Sequence, residues 1–361
     1  MSELPAPIPF LRVSGTNREV GRQVGGACAE DIRASLEFDA ELPEGRTREQ
    51  QLDLARSYWE VTAAALPWLA ERYEGAAEAA GVPLIDLFAT AIEEIWYPPR
   101  TAARPAETAA IGRCSDLVAV PPATANGHVL VAHNNDLSPG AENHLIAIEW
   151  NVPGDPVVFT IGGDLGASVG WNSAGVSFTG NELSPNDERL GIPRGPQFTS
   201  MLRQSSLGEA LREGLRSDRA SSYNQVLASS DGGAVNLEGS ATDAEVTGPN
   251  DRGTFAHTNN YVCDRMVPFE GDPAYAPHSN VRYVRANELL DAAEEGSITE
   301  TSLRGMLSDH ATEPDAICRH PERNDGTVKT VFWCVADVTE RRITYGRGNP
   351  CNSEAQTYAF A

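Results

Sequence analysis

The chain has 361 residues, of which 41% are hydrophobic and 22% charged. That is enough apolar material for one large or two medium folded domains, and the composition is not that of a disordered chain. The net charge of -23 excludes nucleic acid and anionic membrane surfaces as partners, since both need clustered Lys and Arg to meet phosphates.

The first third reads as helical. Thr16-Asn17-Arg18-Glu19 has the form of a capping box, and Val20, Val24, Ala27, Ile32 and Leu36 follow at roughly helical spacing. Further helices are predicted from Glu49 to Ala65, from Pro67 to Ala80, and from Pro83 to near Tyr97. Pro98 to Ala110 is rich in Pro, Ala and Thr and reads as an irregular connection. Strands are then predicted at 117–120, 128–133, 144–150, 157–161, 168–171 and 175–179. Asn126-Gly127 is a hairpin signal between the first two, and Asn172 and Gly175 read as turn residues. Helices at 197–205 and 207–216 precede strands from Ser221 to His257. Helices at 280–295 and 299–308 precede strands at 327–335, 341–345 and near Tyr358. Two β-rich blocks with helices beside each suggest an α+β fold, with sheets packed face to face and helices outside.

Lys329 is the only lysine among the 28 basic residues. An acidic, Lys-poor chain fits a salt-loving source, where charge maintains solubility, and equally a GC-rich genome that favours Arg codons. Met1 to Pro9 carries an acid and three prolines, unlike a signal peptide, and no run of about 18 apolar residues occurs. A cytoplasmic protein is expected. Its six cysteines (28, 114, 263, 318, 334, 351) include no CxxC pair, so neither a zinc site nor a disulfide framework is signalled. His128 and His133 flank a predicted strand without completing a ligand set, and no metal is expected.

Cys114, in Ile111-Gly112-Arg113-Cys114-Ser115-Asp116, opens the first apolar β-type segment. A buried small hydrophobe is the ordinary reading of such a cysteine. The layout also suits a chain that cuts itself just before Cys114 and then uses the thiol as nucleophile, with the freed α-amine as base.

The chain resembles the isopenicillin N acyltransferase family of autoproteolytic N-terminal-nucleophile acyltransferases and amidohydrolases. The resemblance runs from about Gly15 to Asn352. It is carried by Gly15-Thr16 with Glu19, Gly21 and Gly25, by Gly112-Arg113-Cys114, and by Asn134-Asn135-Asp136, read as a turn. Val169-Gly170-Trp171-Asn172-Ser173-Ala174-Gly175-Val176, His257-Thr258-Asn259 and Ile317-Cys318-Arg319 complete it. In this family glycine usually precedes the cysteine; here Arg113 does.

The resemblance implies a four-layer αββα sandwich. It divides the chain into a mainly helical propeptide or α-subunit, 1–113, and a β-subunit, 114–361, that stay associated after cleavage between Arg113 and Cys114. It makes Cys114 the nucleophile and Asn259 an oxyanion donor. Asp136 would hold the new α-ammonium or position the cysteine, and Arg319 would pair with a carboxylate in the site. Ser115 and Asp116 would support the cleaved bond, and His257 would be structural. The implied reaction is hydrolysis of a small N-acyl amine or amino acid through an acyl-cysteine. The alternative is acyl transfer from a coenzyme A thioester, and a non-catalytic scaffold is a third reading. No cofactor is expected beyond that thioester, although no Gly-rich phosphate cradle is visible.

Overall fold

A computed structural model of the chain describes residues 5–37, 42–96, 113–163 and 165–361. The Pro98–Ala110 connection and Gly112 lie outside the described residues.

Among the described residues the N-terminal part supplies one strand, β1 (Phe10–Ser14), and five α-helices. These are α1 (Asn17–Ala27), α2 (Ala29–Ser35), α3 (Arg48–Ala65), α4 (Pro67–Ala80) and α5 (Leu84–Thr90). Thr16 caps α1 with both hydrogen bonds of the capping box in place, as the sequence predicts. Gly21 and Gly25 explain the glycine spacing of the N-terminal motif. A Cβ on Gly21 would lie 2.0 Å from the Arg72 carbonyl oxygen of α4, and one on Gly25 2.3 Å from that of Ala76. These glycines let two helix backbones touch; they carry packing, not chemistry.

The remaining strands are β2 (Arg113–Ala119), β3 (Leu130–Leu137), β4 (Ile146–Asn151), β5 (Val158–Gly162), β6 (Ala167–Asn172) and β7 (Val176–Asn181). After helices α6 (Arg194–Met201) and α7 (Leu207–Gly214) come β8 (Asn224–Ser229), β9 (Ala234–Gly239), β10 (Ala244–Thr247) and β11 (Thr254–His257). Helices α8 (Ala276–Ala292) and α9 (Glu300–Leu307) precede β12 (Lys329–Asp337), β13 (Arg342–Arg347) and β14 (Gln356–Ala359).

They form two sheets, ordered β1-β4-β5-β6-β7-β8-β9-β10 and β11-β2-β3-β12-β13-β14. The core between them joins Val118, Val131 and Cys334 of the six-stranded sheet to Phe159, Trp171 and Val226 of the eight-stranded one. On the outer face of the large sheet, Ile148, Trp150 and Phe178 share a core with Val20, Tyr73, Phe88 and Phe198 of the helices. On the outer face of the small sheet, Leu117, Leu130 and Trp333 pack on Ala286, Leu290, Leu303 and Leu307 of α8 and α9. This is the expected αββα order of layers.

Three local expectations change. β1, mostly exposed and directly after three closely spaced prolines, carries too little pattern to be seen, yet it pairs in parallel with β4. The Asn126-Gly127 turn lies within a longer connection, with Gly127 at φ 75, although β2 and β3 pair antiparallel as expected. Asn134-Asn135-Asp136 is no turn: it lies inside β3, opposite Ser115, Cys114 and Arg113 of β2.

Candidate active site

Side chains alternate across a strand, and this alternation divides the site in two. On β2, Cys114 and Asp116 share a face with Val118, toward the intersheet core, whereas Ser115 shares one with Leu117, toward the helices. On β3, His133 and Asn135 fall with Val131 on the intersheet face, and Asn134 falls with Ala132 on the helix face. Asn134 accordingly donates to the carbonyls of Leu307 and Ile317.

Cys114 is 5% exposed and opens onto a cavity of about 310 Å³. The cavity is walled by Leu137, Phe178 and Phe198 on apolar stretches and by Glu93, Glu182 and Tyr223 on a polar one. The Cys114 sulfur receives Asn135 Nδ2 at 3.5 Å and the backbone N–H of Asp136. Asn135 also contacts His133 Nε2, His133 Nδ1 meets Asp116 Oδ1 at 3.0 Å, and Asn181 donates to Asp116 Oδ2 at 2.8 Å. Asp116 therefore lies in a buried line leading to the sulfur and does not touch the Arg113–Cys114 bond. Ser115 Oγ accepts from Arg282 at 2.9 Å.

On the helix side, Arg282 of α8 is fully buried. Its Nη1 donates to the Cys114 carbonyl at 2.6 Å, and its Nη2 donates to Asn259 Oδ1 at 2.9 Å and to the Tyr275 hydroxyl at 2.8 Å. The Cys114 backbone N–H donates to Asn259 Oδ1 at 2.7 Å. Asn259 thus presents its carbonyl to Cys114, and its Nδ2 donates to the Glu182 carbonyl at 3.1 Å. The resemblance makes Asn259 an oxyanion donor; in the intact chain it holds the cysteine nitrogen, and Asn135 brings an N–H to the sulfur.

Asp136 Oδ1 accepts from Thr330 at 2.7 Å, while the buried Oδ2 has no hydrogen-bond partner among the described residues. Burial pushes the Asp136 carboxyl up from its ordinary range, against the opposing charges of Arg282 and Arg319. Arg319, 3% exposed, pairs with Asp315, four residues earlier, at 3.4 Å. Burial, and next the Asp136 charge, push the Cys114 thiol well above its usual value, so it is protonated at neutral pH in the intact chain. The Arg113 guanidinium lies over the Tyr275 ring, 4.5 Å from its centroid.

Cys114, Asp136, Asn259, Arg319, Arg113 and Ser115 are therefore brought to one place from distant stretches of chain. Arg282, Tyr275, Asn135 and Thr330 are additions. Arg282 had a signal: it interrupts the buried face of α8, which otherwise carries Ser279, Ala286 and Leu290. His257 is bound on both sides, by Asn181 and by Glu238 at 2.8 Å, consistent with its structural reading. Asn172 accepts from the Val176 N–H and Gly175 has φ 92, as their turn reading expects.

Two stacked sheets between helical layers make this a four-layer αββα fold, the layer order that the resemblance implies. A model of the family acyl-coenzyme A:6-aminopenicillanic acid acyl-transferase matches residues 123–352, and the chain belongs to that family. The match takes in Asp136, Asn259 and Arg319 and begins after Cys114. Among solved structures, the chain is similar to a mutant of the conjugated bile acid hydrolase from Clostridium perfringens. That likeness has 15% identity, a TM-score of 0.46, and coverage of 69% of this chain and 97% of that one. It is also similar to penicillin V acylase from Agrobacterium tumefaciens, with 13% identity, a TM-score of 0.42, and coverage of 65% and 83%. No helix among the described residues is long and apolar enough to cross a membrane.

Proposed function

We propose that the chain is an autoproteolytic cysteine amidohydrolase acting on small N-acyl amines or N-acyl amino acids. The Cys114 thiol attacks the Arg113 carbonyl carbon, and the Cys114 nitrogen leaves as an amine and takes up a proton. Water then hydrolyses the thioester, leaving a carboxylate on Arg113 and a free thiol and α-amine on Cys114. In turnover the α-amine takes the thiol proton and the thiolate attacks the substrate amide. The leaving amine takes a proton, and water releases the acyl group from sulfur.

The observation that carries this reading is the placing of the cysteine's two reactive atoms. The sulfur faces the cavity, and the nitrogen faces an acceptor, Asn259 Oδ1. The partnerless Asp136 oxygen suits the α-ammonium that cleavage would create. After cleavage, Asn135 and the Asp136 N–H are the donors nearest the sulfur for a developing oxyanion. The two fragments stay together, because residues before the cut supply β1 and much of the large sheet's outer core.

The family's description makes coenzyme A-dependent transfer the second reading. The cavity's polar wall speaks for hydrolysis instead. Glu93 and Glu182 bring two carboxylates to it, each within reach of Arg194 at 2.7 and 3.5 Å, a lining that suits an amine better than phosphates. The test is amine release from a panel of N-acyl amines and N-acyl amino acids of increasing chain length, beside thiol release from the matching acyl-coenzyme A thioesters. Amine release that is lost in Cys114→Ala supports hydrolysis. Turnover of the thioesters alone would overturn it in favour of transfer, and turnover surviving in Cys114→Ala would remove the nucleophile.

A further inference from the structure

The cysteine spacing signals no metal site, yet the fold gathers four soft ligands from separate segments. His310 follows α9, Cys318 and His320 flank Arg319 ahead of β12, and Cys351 lies in the short turn Pro350–Asn352. The four ligand atoms all lie within 4.8 Å of one another. His310 Nε2 and His320 Nε2 are 3.1 Å apart, and the Cys318 and Cys351 sulfurs 3.7 Å apart. His320 Nε2 is 3.6 Å from the Cys318 sulfur and 3.4 Å from that of Cys351.

These are four of the six edges of a tetrahedron, and they can be checked for size. Zinc bonds of about 2.3 Å to sulfur and about 2.0–2.1 Å to nitrogen require edges of roughly 3.8 Å for S–S, 3.3 Å for N–N and 3.6 Å for S–N. The four distances given agree within a few tenths of an ångström. A disulfide needs its sulfurs at about 2.05 Å, far closer than they stand. The surroundings match as well. The outward His320 Nδ1 faces Glu322 Oε1 at 3.4 Å, the carboxylate–histidine arrangement that orients metal-bound imidazoles. Asn349 Nδ2 donates to the Cys318 sulfur at 3.4 Å.

We propose that His310, Cys318, His320 and Cys351 form a Cys2His2 zinc site. Four protein ligands leave no open position, so the site is structural and takes no part in the chemistry at sulfur. Zinc binding replaces the thiol protons of Cys318 and Cys351, which pass to solvent, and uses both histidines in their neutral form. What the ion would hold is the segment carrying Arg319. The Arg319 N–H donates to Thr330 Oγ1, its carbonyl accepts from Asn349 Nδ2 at 2.7 Å, and Thr330 Oγ1 in turn donates to Asp136. The site would therefore fix Arg319 against the active-site carboxylate while remaining separate from it. The metal site stands or falls independently of the amidohydrolase reading.

The test uses untagged full-length protein, expressed with zinc in the medium and purified under reductant without chelator. Elemental analysis is expected to find about one zinc per chain. Cys351→Ser and His310→Gln are expected to lose most of it while keeping the wild-type circular dichroism. Removal of zinc should lower the melting temperature, and added zinc should restore it. Cobalt(II) loaded into the zinc-free wild type should give intense tetrahedral ligand-field bands and thiolate charge-transfer absorption, a readout that needs no variant to fold. Wild-type protein that binds neither zinc nor cobalt would overturn the proposal. So would an octahedral cobalt spectrum without thiolate absorption, a Cys318–Cys351 disulfide in the purified protein, or zinc retained undiminished in both variants.

Discussion

Arg282 is the residue on which the site geometry most depends, and its replacement has a calculable effect. One nitrogen bridges the Cys114 carbonyl and Ser115 Oγ, and the other bridges Asn259 Oδ1 and the Tyr275 hydroxyl. Burial works against its charge, but Tyr275 and the Asp136 carboxylate hold the guanidinium above its ordinary value, so it is cationic throughout the usable pH range. Hydrogen bonds to a charged group contribute about 1.5–3 kcal/mol each, and breaking a buried charged network costs about 3–5 kcal/mol in total, since the contacts are not additive. Arg282→Met should therefore remove a large share of a domain stability of about 5–15 kcal/mol. Arg282→Lys keeps the charge, but a single ammonium cannot span both pairs of acceptors. It should fold with a lowered melting temperature and leave Cys114 displaced. A misplacement of about 1 Å costs about 100-fold in rate, and that is the loss expected in Arg282→Lys for both self-cleavage and turnover. The assay is a time course of cleavage by intact mass, with melting curves alongside. Gly21→Ala, remote from Cys114, serves as the control that is destabilised without being displaced. Folded Arg282→Lys and Arg282→Met proteins that cleave at the wild-type rate would show that Arg282 does not position Cys114.

Other outcomes follow from the same structure. Gly21→Ala should lower stability by about 1–3 kcal/mol, measured by denaturant unfolding, because the added methyl meets the Arg72 carbonyl and not a yielding side chain. Burial opposes the ionisation of Glu238, but the hydrogen bond and charge of His257 and the N–H groups of Val262 and Cys263 outweigh it and hold the carboxyl below its usual range. A depressed carboxyl stabilises the fold above its unfolded pKa of about 4.3, and the contribution is lost as pH falls through the folded value. Glu238→Gln should thus cost about 1–3 kcal/mol between pH 5 and 7, and its melting temperature should converge on the wild type's only as pH falls below the depressed folded value. The charge of -23 predicts a melting temperature that rises between 0.1 and 1 M potassium chloride, as the screening length falls from about 10 to about 3 Å. A flat series would leave codon usage as the reason for the missing lysines.

The layers were legible because local chemistry agreed with them. The Thr16–Glu19 capping box, Pro67 opening α4 and the Asn172–Gly175 turn each act within a few residues, and the structure has all three. What escaped was set by distant chain. Asn134-Asn135-Asp136 looked like a turn because its residues are polar, but a strand buried on both faces can carry polar groups when Arg282, Thr330 and two carbonyls satisfy or offset them. Arg282 announced itself only as a cation on an otherwise buried helix face. The orientation of Asn259 could not be read at all, since it depends on which atoms of Cys114 and Glu182 arrive beside it. Of the four residues from His310 to Cys351 only Cys318 and His320 are close in sequence; the fold brings His310 and Cys351 to them.

Whether Cys114 becomes an N-terminal nucleophile is decided by intact mass with N-terminal sequencing of the purified, catalytically active protein. Two associated fragments are expected in place of the 38.7 kDa chain, of roughly 12 and 27 kDa by length, the larger beginning at Cys114. Cys114→Ala is expected to remain whole. A single uncut chain that turns over substrate, or a cut at any bond other than Arg113–Cys114, would contradict that role of Cys114.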